Sequence, residues 1–206
     1  QANGGAFAAI LEDGSVVTWG NPNSGGDCRA VQNQLRHVQR IQRASCAFAA
    51  ILDGGCVTTW GDPDFGGDST DVQEQFRNVQ ELQATADAFA AILGDGSVVT
   101  WGQPGCGGDS SVVQEQLKHV QCVQATGSAF AAITEGGSVV TWGNPSCGGD
   151  SKCVQDQLRS VKHIQATASA FAAILEDGCV VTWGYEARGG DNSAVCAELE
   201  NAQRDA

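Results

Sequence analysis

The sequence predicts an all-β, five-bladed β-propeller, and three observations carry that expectation. A tryptophan recurs every 41 residues without an insertion, at Trp19, Trp60, Trp101, Trp142 and Trp183. Each closes a copy of one phrase: Ala-Phe-Ala-Ala-Ile, a tight turn, a β-branched run ending Thr-Trp-Gly, then Gly-Gly-Asp. Within each copy, apolar and polar residues alternate with period two over short stretches, the pattern of strands. A fixed period of this length marks units that bury an apolar face only against neighbours, so the copies must stack or radiate about an axis.

The third copy shows the elements in order. Val79 to Ala84 alternates and predicts an inner strand. Thr85-Ala86-Asp87 turns the chain, and Ala88 to Leu93 predicts a second strand whose small alanines let neighbouring sheets approach closely. Gly94-Asp95-Gly96 predicts a hairpin, because glycine reaches positive φ without steric cost. Ser97 to Trp101, rich in β-branched residues, predicts a third strand. One proline and three glycines between Gly102 and Asp109 then break the ladder. Ser110 to Leu117 fits a short fourth strand at the outer edge or a single helical turn capped by Ser or Asp, and the strand is the preferred reading. A helical solenoid is disfavoured, since Gly-Gly-Asp and the recurring prolines interrupt every stretch where a helix would need continuity.

Five equal copies without a linker predict one domain over 1–206, with blades at about 1–35 joined by 201–206, then 36–76, 77–117, 118–158 and 159–200. No apolar stretch approaches the ~20 residues of a spanning helix. A net charge of −13 with only three lysines (Lys118, Lys152, Lys162) disfavours a nucleic-acid partner, which needs clustered cations for phosphate contacts. The chain has no methionine and begins within a repeat, which suggests a processed mature chain or a piece of a longer array. A processed chain would suit an organelle lumen or a secreted location.

Nine cysteines are an odd number, contain no Cys-x-x-Cys pair and mostly fail to follow the repeat. One local pair, Cys147 and Cys153, flanks a loop and is a candidate disulfide. The five Gly-Gly-Asp aspartates sit where Asp commonly bonds its own backbone, so a turn role is favoured over cation binding. The five tryptophans fit either packing between blades or sugar stacking, and packing is favoured. Tyr185, Glu186 and Arg188 occupy the one post-tryptophan loop without a proline, which makes that loop the candidate interaction site. His37 and His119 share a repeat position, but neither lies in a triad or zinc-spacing context, and no glycine cluster forms a phosphate loop. The residues therefore call for no catalysis, cofactor or metal.

The segment Ala-Ile-Leu-Glu-Asp-Gly-Ser-Val-Val-Thr-Trp-Gly at 9–20 resembles the regulator of chromosome condensation repeat family. The glycine-rich loop at 21–27 and the returning strand Val38-Gln39-Arg40-Ile41-Gln42 extend the likeness, which covers all five copies. The resemblance implies a propeller used for protein contacts. The chain departs from that family in its short repeat and in having five copies where the familiar propellers have seven blades. It also lacks the inserted wedge expected for guanine nucleotide exchange. Closure of the ring would need Asn201 to Ala206 to replace the missing inner strand, yet Ala202 stands in register with Val38 and Asp205 with Ile41. The expected function is a noncatalytic interaction or scaffold propeller with protein partners. It would be an accessory subunit of a larger assembly, organellar or peripheral to a membrane through a complex. The alternatives are a multivalent lectin and an exchange-factor or ubiquitin-ligase-associated repeat module.

Overall fold

The computed structural model describes residues 1–195. In the first blade, β1 (Ala6–Ile10) pairs with β2 (Val16–Gly20). The second holds β3 (Val38–Arg43), β4 (Ala47–Leu52) and β5 (Val57–Gly61). The third holds β6 (Val79–Ala84), β7 (Ala88–Leu93) and β8 (Val98–Gly102). The fourth holds β9 (Val120–Ala125), β10 (Ala129–Thr134) and β11 (Val139–Gly143). The fifth holds β12 (Val161–Ala166), β13 (Ala170–Leu175) and β14 (Val180–Gly184). Every pairing is antiparallel and each blade is a meander in sequence order. The protein is an all-β, five-bladed propeller.

Burial explains why the central strand is so rich in alanine. Strand side chains alternate between faces, and in a propeller both faces of a blade meet a neighbour. Ala47, Ala49 and Ile51 of β4 pack against Phe89, Ala91 and Leu93 of β7, and the same pattern joins β7 to β10 and β10 to β13. Those alanines are fully buried, so the backbones of successive blades come close with no room for larger side chains. In every blade the Phe of the central strand pairs across the ladder with the Trp of the next strand, and their rings stack at 5.1–5.3 Å.

Backbone bonds also run from blade to blade along the inner turns. The amide of Gly4 donates to Ser45 O, Ser45 to Ala86 O, Ala86 to Gly127 O, and Gly127 to Ala168 O. At the corners where the first strand of a blade begins, Val38, Val120 and Val161 donate to the carbonyls of Gly14, Gly96 and Gly137 in the preceding blade's hairpin. His37, Asn78, His119 and Ser160 lead into these corners with left-handed backbones, φ 52–55°. The shared position of His37 and His119 is thus a corner in the chain path.

The expected fourth strand is a correction. In its place the chain makes 3-10 turns at Thr70–Gln75, Gln114–Gln116 and Gln155–Gln157. Each delivers an apolar side chain to the core, Leu117 and Leu158 being almost completely buried and Leu35 likewise in the first copy. Side chains, described below, occupy the edge where a fourth strand would have paired. The expectation that Asn201 to Ala206 completes the first blade lies outside the described residues. Among the described residues the seam between the first and fifth blades carries neither the inner-turn relay nor the tryptophan contact that join every other pair.

Candidate functional site

Each motif that looked chemically suggestive in the sequence is held in the architecture, and the geometry shows how. The Gly-Gly-Asp aspartates close turns. The carboxylates of Asp27, Asp68, Asp109, Asp150 and Asp191 accept from the amide two residues on, at 2.8–3.0 Å. All five carboxyls lie below their ordinary value: the amide bond is the main cause for Asp109, Asp150 and Asp191, and a side-chain donor adds the larger share for Asp68 (the Thr70 hydroxyl) and Asp27. Asp27 is lowest, at about 2, because the Arg29 guanidinium also donates to it. Among the described residues, no group of three or more His, Cys, Asp or Glu side chains is placed to hold a metal ion.

Four of the five tryptophans pack between blades. The indole Nε1–H of Trp60, Trp101, Trp142 and Trp183 donates at 3.0 Å to the carbonyl of Gly25, Gly66, Gly107 and Gly148 in the preceding blade. Those glycines are obligatory. Their φ values lie at 84–96°, and a Cβ added at any of them would lie 2.5–2.7 Å from the Cδ2 of the neighbouring blade's Phe. Four of the five rings are buried and so closed to a sugar; the exception is Trp19, 52 % exposed. Five equivalent lectin sites therefore have no basis in this geometry.

A buried polar network escaped the sequence reading. In the third blade Thr100 Oγ1 and Ser110 Oγ lie 3.0 Å apart, Ser110 donates to Gln114 Oε1 at 2.9 Å, and Gln114 Nε2 donates to Val98 O at 3.0 Å. The second blade repeats it through Thr59, Ser69, Gln73 and Val57, the fourth through Thr141, Ser151, Gln155 and Val139. In the first blade Cys28 stands in for Ser and donates its thiol to Gln32, which in turn reaches Val16 O. The signal was present as Ser-x-x-x-Gln directly after Gly-Gly-Asp in the second, third and fourth copies, but its partner is a carbonyl remote in sequence.

Tyr185 lies on the surface, 52 % exposed. Glu186–Arg188 makes the same 3-10 turn as the proline loops, ending in Gly189 at φ 100°, so the loop differs in its side chains and not in its path. Its anchors are Tyr185 N–H to Ser169 O and Thr167 Oγ1 to Arg188 O, both 2.9 Å. Cys147 and Cys153 are both free thiols here, the first half-buried and the second exposed.

The fold is a propeller shared with solved structures that include yeast RCC1 (Prp20), similar at TM-score 0.56 and 13% identity, in keeping with the resemblance read from residues 9–20. Human WBSCR16 is similar at TM-score 0.57 and 17% identity, covering 91% of this chain and 62% of that one. Prp20p from Saccharomyces cerevisiae, described with its binding to Gsp1p and histones, is similar at TM-score 0.57 and 14% identity, over 88% and 56%. The ectodomain of the Physcomitrella patens receptor kinase CR4 is similar at 0.56 and 16%, over 90% and 51%. The chain thus spans 51–62% of the length of these structures. Comparison with protein-family models and with curated protein sequences finds no match.

Proposed function

We propose that this propeller is a noncatalytic protein-docking module, the whole array serving as one domain. The observation that carries the reading is the use made of the repeat's polar side chains. The Asp, Trp, Thr, Ser and Gln side chains that recur in the motif close turns, join blades or tie the outer segment to its own blade's edge strand, as their bonds describe. What varies from blade to blade, and is therefore open to specify a partner, is the outer loops. The Tyr185-Glu186-Ala187-Arg188 loop is the most distinct of these, with an exposed aromatic flanked by both signs of charge. Aromatic and Arg side chains are the anchors that protein interfaces favour. Among solved structures of this fold, yeast Prp20 is bound to Kap60, which supports the same use here. As the biological setting of such a module we infer an accessory subunit of a larger assembly.

The test is affinity purification of the native protein followed by binding measurements with whatever copurifies, using wild type and a Tyr185→Ala, Arg188→Glu variant. Loss of the partner with an unchanged circular dichroism spectrum is expected. Saturable glycan binding, or turnover of a substrate by the purified chain, would overturn the reading.

A further inference from the structure

We propose that this protein associates head to tail with a second copy of itself, the outer face of the fifth blade in one copy seating on the outer face of the first blade in the next. The argument starts from the four seams inside the molecule, which share one recipe. A stacked Phe–Trp pair on the following blade presses on a left-handed glycine of the preceding one, and the indole donates to that glycine's carbonyl at 3.0 Å. At these seams the Phe is at most 1% exposed and the Trp at most 5%.

Both halves of a fifth such seam are present, and among the described residues neither fills the other. On the first blade Phe7 and Trp19 already stack, 5.1 Å apart and 10° from parallel, yet they are 49% and 52% exposed. On the fifth blade Gly189 has the backbone of its four counterparts, φ 100°, but the nearest heavy atom to a Cβ there is Thr167 Cγ2 at 3.9 Å. Among the described residues no ring fills this notch as one fills each of its four counterparts. On the same face Thr167 is exposed where Thr85 and Thr126 are 4% exposed, and Ile174 is 37% exposed, against 3–6% for Ile51, Ile92 and Ile133 and 40% for Ile10 at the edge of the first blade. An apolar face of this kind, left open on a chain of net charge −13, is out of keeping with its surface.

The two halves sit at opposite ends of the fan, and among the described residues neither the Trp19–Gly189 bond nor an Ala168–Gly4 relay bond joins them. The occupant that matches each half in shape and in hydrogen bonding is the other half, carried by another copy. The contact is heterologous, so it propagates from copy to copy until a ring closes. Copies of like charge repel, and salt screens that repulsion while leaving the apolar seam intact. Association should therefore strengthen with ionic strength.

Sedimentation velocity on the full chain, over a micromolar-to-millimolar series at low and high salt, tests this. Wild type is expected to show a mass above the monomer that grows with concentration and with salt. Trp19→Glu and Ile174→Glu alter side chains that are exposed in the monomer, so each should keep the wild-type circular dichroism spectrum and remain monomeric. Each variant keeps one intact half, so an equimolar mixture should form a species of two copies and no larger. A wild type that stays monomeric throughout overturns the proposal, whether Trp19 proves exposed or is covered by the chain itself. So does assembly that survives either variant, or a mixture that stays monomeric while wild type assembles.

Discussion

Gly107→Ala measures how tightly the blades are seated. Gly107 has φ 96°, a backbone that costs an alanine about 1–2 kcal/mol. Its new methyl would lie 2.5 Å from Phe130 Cδ2 and 2.8 Å from Cε2. Phe130 is fully buried beneath Trp142, so the ring has nowhere to retreat, and overpacking of this kind adds about 1–3 kcal/mol. The sum is about 2–5 kcal/mol. Two substitutions separate the contributions. Gly189→Ala has a comparable φ, 100°, but its methyl would find no heavy atom nearer than 3.9 Å, so only the backbone cost of about 1–2 kcal/mol applies. Gly105→Ala would meet nothing within 4 Å, and its φ is not positive, so a gain of about 0.4–1 kcal/mol is expected from a less flexible unfolded chain. Urea unfolding followed by tryptophan fluorescence, at a dilution where the protein is monomeric, gives the three values. Equal losses for Gly107→Ala and Gly189→Ala would refute the claim that the glycine seats a ring.

Three further expectations follow from the same geometry. Gln114→Ala removes the bonds to Val98 O and Ser110 and leaves the buried Ser110 hydroxyl with one partner fewer; chemical denaturation should record a loss of about 1–3 kcal/mol. Trp101→Phe keeps an aromatic ring against Phe89 but deletes the 3.0 Å bond to Gly66 O, and should cost about 1–3 kcal/mol in the same assay. The Gly-Gly-Asp carboxylates are depressed by folding, so the unfolded chain takes up their protons first as the pH falls below 3.8. Their contribution is complete above that value and disappears as the pH drops through the folded values, about 2 for Asp27. Asp109→Asn keeps the acceptor oxygen without the titration, so its thermal midpoint should depend less steeply on pH than that of wild type over about pH 5 to pH 2.

Local patterns in the sequence were legible where a strand's own residues decide its state. Val79 to Ala84 and Ala88 to Leu93 read correctly because alternation and β-branching are local signals. The turn role of Asp109 read correctly for the same reason, since its acceptor bond reaches only two residues ahead. Ser110 to Leu117 did not. Its conformation is settled by Gln114 reaching back to Val98 and by Leu117 dropping into the core, both tertiary contacts. The tryptophans were correctly preferred as packing, but which of them would be buried depends on the neighbouring blade. Trp19 and Trp60 share an identical local setting, Thr-Trp-Gly, and only the assembled fold sets them apart.

The seating of each blade has a direction. Trp60 needs the carbonyl of Gly25, Trp101 that of Gly66, and so on along the chain: the receptor always precedes the side chain it receives. A ribosome therefore emits the socket before the plug at every step, and each newly emerged sheet meets a partner that is already synthesised. Growth by successive addition onto the amino-terminal end is thus encoded in the order of contacts, and none of these four joints has to wait for a later part of the chain to be made.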